Sequence, residues 1–150
     1  MMCSRRVTMQ GRRIIVEEAP LVLDAQALLE RLPTNGCGAI VSFVGITREY
    51  EQGHDVLRLE FDAWKDRLVP VLQQLAEEAI ETFNVKAVAL AHRTGPVGPQ
   101  EPIVAIHVAS PHRKEGFEAC SWLIDELKRQ APIWKKEVTT AGETWKEGLG

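Results

Sequence analysis

Between Val56 and Phe83 the hydrophobic period changes abruptly, and this confines the chain to folds in which helices back a sheet. From Val56 to Ala63 apolar and polar residues alternate, with Leu57, Leu59, Phe61 and Ala63 on one side and Arg58, Glu60 and Asp62 on the other. Successive strand side chains point to opposite faces, so this segment reads as a strand with one wet face. From about Lys65 the spacing is helical: Leu68, Leu72, Leu75, Ala79 and Phe83 form one stripe, which demands a surface to bury against. Pro70 falls in the first turns of that helix, where a missing N–H matters least.

The same reading extends both ways. Arg13 to Glu17 is a short first strand, and Asp24 caps a helix running to about Leu32, which Pro33-Thr34-Asn35-Gly36 stops. Gly38 to Val44 is a mostly apolar strand, followed by a polar loop from Thr47 to Asp55. Ala87 to Ala91 and Ile103 to Ala109 are apolar runs of strand length, joined by a Pro- and Gly-rich turn. A last helix, about Lys114 to Gln130, buries Phe117, Cys120, Ile124 and Leu127; Pro132 ends it, Ile133 to Thr139 returns as a strand, and Ala141-Gly142 turns the chain toward Trp145. The expected class is α+β: a mixed or antiparallel sheet with helices packed on one side and a possible small β sub-domain. Residues 1–12 are expected to be a flexible N-terminus and residues 13–147 a single domain.

Composition narrows the function. A chain of 150 residues that is 45% apolar can build a core without disulfides or a structural metal. A net charge of −3 argues against a general nucleic-acid binder. No run approaches the roughly eighteen apolar residues of a membrane span. Cys3, Cys37 and Cys120 are odd in number and lack metal-ligand spacing, which fits a reducing, cytoplasmic setting.

Three places could carry chemistry. Ser110-Pro111-His112-Arg113 lies where a strand ends and a helix begins; open N–H groups and the helix dipole suit an anion there, and Arg113 adds a planar fork for its oxygens. The plainer alternative is that Ser110 or His112 caps the helix. Lys128 and Lys135 flank the Pro132 turn and can converge across it; desolvation and a neighbouring cation would make either usable as acid, base or nucleophile. Alternatively, Lys128 pairs with Asp125 and complements the helix C-terminus. Arg48 follows Phe43-Val44-Gly45, a glycine-assisted turn from which a loop arginine can reach a ligand; the plainer alternative, favoured on these residues alone, is a surface arginine in a mobile loop. His54, His92, His107 and His112 show no metal spacing, and no metal site is expected.

Taken together, GAIVSFVGITR (38–48), LEFDAW (59–64), HRTG (92–95), SPHRKEGFE (110–118), LKRQAPIWKKE (127–137) and GETW (142–145) resemble the large, catalytic subunit of molybdopterin synthase, from about Arg13 to Trp145. The resemblance implies an α/β hammerhead-like fold and a sulfurtransferase of molybdenum cofactor biosynthesis. Sulfur would pass from the thiocarboxylated C-terminus of a small ubiquitin-like subunit to cyclic pyranopterin monophosphate, forming the molybdopterin dithiolene. It implies Lys128 and Lys135 as catalytic residues and Arg48, His112, Arg113, Ile46, Thr47, Lys136 and Glu137 as substrate contacts. Phe43, Arg48 and Lys128 would line the pocket for the partner's tail. Two large subunits would pair inside a heterotetramer, with the His112-Arg113 pair reaching across. No cofactor is expected, the pterin being the substrate. Two departures stand out: many relatives have Gly where Gln100 stands, and some carry a longer tail with a further basic residue. The competing reading is a non-catalytic module that docks a ubiquitin-like partner or senses an anionic small molecule.

Overall fold

A computed structural model describes residues 13–146; residues 1–12, with Cys3 and the expected flexible start, lie outside the described residues. Two sheets carry the fold. The first has β1 (Ile14–Ala19), β5 (Ala87–Arg93), β7 (Pro102–Ser110) and β2 (Ala39–Ile46) in that spatial order. β1 runs parallel to β5, and the other pairs are antiparallel. The second is built on β4 (His54–Ala63), flanked by β8 (Ile133–Thr139) and then β9 (Gly142–Lys146) on one side, and paired with β3 (Tyr50–Glu51) and β6 (Gly95–Val97). This is the α+β architecture expected, and the second sheet is the small β unit.

The pattern of β5 and β7 shows why the first sheet is covered on both faces. In β5, Val88 and Leu90 alternate with Ala87, Ala89 and Ala91, and in β7, Val104, Ile106 and Val108 alternate with Ala105 and Ala109. The large residues join the core beneath the two long helices, α2 (Lys65–Phe83) and α3 (Arg113–Gln130). The alanines face the short α1 (Ala25–Glu30) and its Leu28. Helices on one side therefore holds for α2 and α3, while α1 occupies the opposite face. Leu68, Leu72 and Leu75 of α2 are at most 1% exposed, each contributing about 1.5–3 kcal/mol by leaving water. Asp24 caps α1 as expected, its carboxylate accepting from the Ala27 N–H at 3.0 Å.

Three strands were not expected, and each bears on the site. β3 lies in the loop expected from Thr47 to Asp55, β6 lies in the Pro- and Gly-rich turn, and β9 follows the Ala141-Gly142 turn. The alternation of β4 is also broken at one place. A register shift between Val56 and Arg58 buries Val56 and leaves Leu57 51% exposed, whereas Leu59 and Phe61 stay inward. β2 reaches Ile46, two residues beyond the expected end, with a shift after Gly45. Gly45 is required by close approach: a Cβ there would lie 2.8 Å from Val104 Cγ1.

Candidate active site

Where the two sheets meet the last turn of α3, the chain encloses a cavity of about 350 Å³, within the size range of small-ligand sites. Its floor is apolar, with Leu59 and Phe61 from β4, Val104 from β7 and Leu127 from α3. Its mouth is charged. Arg48 follows β2, Glu51 sits on β3, Lys128 ends α3, Lys135 and Glu137 come from β8, and Lys146 from β9.

Lys135 is the most perturbed of these amines. It lies opposite Phe61 of β4 on one side and Lys146 of β9 on the other. Burial disfavours its charged form and pulls its pKa below the usual lysine value; Lys146, Lys128 and Arg48 push the same way, and Glu137 opposes them. Glu137 is 8% exposed, and its Oε1 accepts Lys146 Nζ at 3.3 Å. Lys128 is exposed on the turn of α3 just beyond buried Leu127, and Arg48 is paired with Glu51 at 3.2 Å. Phe43 and Ile46 line the cavity beside them.

The remaining sequence candidates lie elsewhere. Thr47 is 1% exposed, and its hydroxyl has no hydrogen-bond partner. Its backbone is fixed by two bonds, Thr47 N–H to Glu101 O at 3.0 Å and Gln100 N–H to Thr47 O at 2.7 Å. Thr47 therefore anchors the loop that presents Arg48. Lys136 projects from the other face of β8, bonded to Glu60 at 3.2 Å and Glu143 at 3.3 Å and lying 5.7 Å from the Trp145 ring centroid. His112 and Arg113 line a separate open depression of about 600 Å³ with Gly38, Ala39 and Phe117. No side chain caps α3 there; the Ser110 hydroxyl donates to His112 O at 2.7 Å instead. The amides at that helix start are thus left for an anion.

Three lining residues escaped the sequence reading. Lys146 was legible in principle, since a tight turn at Ala141-Gly142 places position 146 opposite 135. Glu51 gave no signal within a polar loop. His92 was weighed only as a metal ligand. It is 2% exposed, donates from Nδ1 to Arg93 O at 2.7 Å, and meets the Phe61 ring edge-on at 5.2 Å. Burial pushes its pKa down to about 4. Neither described cysteine lines this cavity, and burial raises the Cys37 thiol and lifts Cys120 to about 11. Among the described residues no group of His, Cys, Asp or Glu is placed to hold a metal ion, and no helix is long and apolar enough to cross a membrane.

A partly buried amine of lowered pKa, with further cations beside it in a largely apolar cleft, is the arrangement of a site suited to proton transfer on anionic reactants. The MoaE protein family matches residues 16–130. A molybdopterin synthase catalytic subunit from Arabidopsis thaliana is 42% identical over 133 residues, covering 89% of this chain and 67% of that protein. The crystal structure of molybdopterin synthase from Staphylococcus aureus superposes with a TM-score of 0.83 at 30% identity, covering 87% of this chain and 96% of that one. A chain from a complex of subunits 1 and 2 of molybdopterin-converting factor from Helicobacter pylori shares the fold, with a TM-score of 0.72 at 24% identity over 88% of this chain and 90% of that one. The chain belongs to the MoaE family, that of the molybdopterin synthase catalytic subunits, and is an enzyme of molybdenum cofactor biosynthesis.

Proposed function

We propose that this cavity transfers sulfur from the thiocarboxylated C-terminus of a small ubiquitin-like subunit to cyclic pyranopterin monophosphate, forming the molybdopterin dithiolene. The observation that carries this reading is Lys135, half-buried beside Lys128 and Arg48 in one cleft. Its lowered pKa suits it to move protons as sulfur attacks and the acyl group leaves. Lys128 and Arg48 sit at the mouth as cations for the tail's carboxyl group and the substrate's phosphate, and Phe43 and Ile46 give the tail an apolar wall. Glu137 tunes Lys135, and Thr47 holds the Arg48 loop. Lys136, engaged by Glu60 and Glu143, has little support as a substrate contact. The pterin enters as substrate, and side chains supply the chemistry without a cofactor. The unbridged Cys37 and Cys120 support a reducing compartment, the cytoplasm.

His112 and Arg113 join this site through a second copy. Among the described residues β2 pairs only with β7, and it exposes Ile40, Val44 and Ile46 along its length. Two copies joined antiparallel along β2 would set the Ala39 end of one, next to His112 and Arg113, against the Ile46–Arg48 end of the other. Eight residues at roughly 3.4 Å each make that strand about 27 Å long, so one chain does not bridge the two depressions by itself. A chain that sediments as a monomer at micromolar concentration argues against this pairing.

The test assays Lys128→Ala and Lys135→Ala with thiocarboxylated small subunit and pterin precursor, alongside circular dichroism and partner affinity. Turnover is expected to drop about 100-fold or more, as for loss of an acid–base group, with fold and partner binding kept. Undiminished turnover in both variants overturns the reading.

A further inference from the structure

We propose that His92 is a binding residue of this site: from the floor of the cavity its Nε2 accepts a hydrogen bond from a ring N–H of the pterin and so sets which edge of the substrate faces inward. The inference rests on the reading of the cavity as the sulfur-transfer site, and three observations carry it. The His92 ring is buried yet lines the cavity. A carbonyl oxygen only accepts, so the 2.7 Å bond between Nδ1 and Arg93 O puts the proton on Nδ1 and leaves Nε2 a bare lone pair. Among the described residues Nε2 has no partner. Thr47 Oγ1 is the one fully enclosed side-chain N or O atom that lacks a partner there, so Nε2 keeps an open side, and the space beside this ring is the cavity.

Three lining side chains can accept a hydrogen bond: Glu51, Glu137 and His92. The first two are held by cations, Glu51 by Arg48 at 3.2 Å and Glu137 by Lys146 at 3.3 Å. His92 is the acceptor left over, and it is a rigid one. Its Nδ1 bond fixes the ring, Phe61 meets it edge-on, and Arg93 ties the same strand end to Ala19 O and Pro96 O. Burial holds the imidazole pKa at about 4, so at neutral pH Nε2 takes a donor and turns away a carbonyl or an anion. Leu59, Phe61 and Leu127 form the apolar floor around it. A flat ring with apolar faces and N–H groups along one edge matches that floor, and a reduced pterin is such a ring. Peptide N–H groups of the partner's tail fit less well. The tail arrives carboxyl end first, and the cations suited to that carboxyl stand at the mouth, so its N–H groups lie further out.

The experiment uses the large subunit with cyclic pyranopterin monophosphate and two readouts. The first is made on wild type carrying isotope-labelled histidine. The Nε2 resonance of His92, identified by its loss in His92→Gln, is expected to move upfield when the precursor is added, as a lone-pair nitrogen does on accepting a hydrogen bond. Inorganic phosphate should leave it in place. The second readout compares wild type, His92→Gln, His92→Asn and His92→Phe, each checked by circular dichroism. Glutamine can bring an amide oxygen to the Nε2 place, asparagine reaches only the Nδ1 place, and phenylalanine keeps a ring without either nitrogen. Precursor affinity and KM are expected to weaken about tenfold in the asparagine and phenylalanine variants, the scale of one neutral hydrogen bond, and glutamine should recover most of that loss. The change should fall on KM rather than on kcat or its pH profile, and affinity for the thiocarboxylated partner should hold. An Nε2 resonance indifferent to the precursor overturns the proposal, as does a wild-type KM in the asparagine and phenylalanine variants. Loss of partner affinity with precursor affinity intact also overturns it, and would assign Nε2 to the tail. Full turnover by both Lys128→Ala and Lys135→Ala would instead overturn the reading of the cavity itself.

Discussion

Acidification should loosen this fold through His92, and the size of the effect follows from its surroundings. The imidazole is 2% exposed, sits edge-on to Phe61 and spends its Nδ1–H on Arg93 O. A proton on Nε2 would put charge into the apolar floor of the cavity, and burial therefore holds the pKa near 4 against an ordinary 6.5. The unfolded chain takes up that proton more readily than the folded one, so stability rises with pH. Above about pH 6.5 both states are neutral and His92 has no pH-dependent effect. As pH falls from 6.5 to about 4 the unfolded state gains the proton alone, and stability is lost. The gap at about 1.4 kcal/mol per pH unit comes to about 3 kcal/mol, a large share of the roughly 5–15 kcal/mol typical of a domain. The check is equilibrium urea unfolding, followed by tryptophan fluorescence, of wild type and His92→Gln between pH 7.5 and 4. Glutamine lacks the titration, so the variant starts less stable at neutral pH and the two curves converge by about 3 kcal/mol on acidification. His107, whose pKa burial also lowers, titrates in both proteins and cancels. Curves that stay parallel through this range would refute the reasoning.

Arg93→Met should cost about 3–6 kcal/mol in urea unfolding, because two close charge-assisted bonds are lost, those to Ala19 O at 2.9 Å and Pro96 O at 2.7 Å. Gln100 holds a left-handed φ of 65°, so Gln100→Val should lower stability by about 1–2 kcal/mol, while Gln100→Gly should be neutral or stabilising; thermal midpoints decide between them. Gly45→Ala should cost about 1–3 kcal/mol by overpacking against Val104 and should also reduce turnover, since Gly45 lines the cavity.

The elements visible in the sequence were those whose pattern is local. The stripe of α2 and the alternation of β4 carry their own period, and Asp24 carries its own cap. What was not visible depends on partners distant in the chain. β6 is a strand only because Leu59 and Phe61 of β4 pair with it, and the short β3 exists through its hairpin with β4. The HRTG motif is a similar case. It carried the family resemblance, yet Arg93 is 4% exposed and binds backbone carbonyls of residues 19, 20, 94 and 96. It ties the end of β1 to the β5–β6 turn, a role no local spacing reveals. The Gln100 departure from glycine has a physical meaning too, since that position is left-handed.

The site was harder to read than the fold because its charge is assembled across the chain. Lys128 and Lys135 could be paired in advance, as both flank the Pro132 turn. Arg48 arrives from about 80 residues earlier, on a loop that Thr47 pins to Gln100 and Glu101, so its nearness to the lysines depends on the turn after β6. Lys146 arrives from the last described strand, in a segment that read only as a turn toward Trp145. These contributions act on one equilibrium, the protonation of Lys135, and they act with different signs. A single lysine in a helix-turn-strand unit has the pKa of a surface amine. The same lysine enclosed by β4, α3 and β9, with Glu137 engaged by Lys146, is shifted toward its uncharged form, burial being the largest cause. On the proposed reading of Lys135, its reactivity is a property of the whole second sheet, and a substitution that unpairs β9 from β8 should weaken catalysis even where it touches no reacting atom.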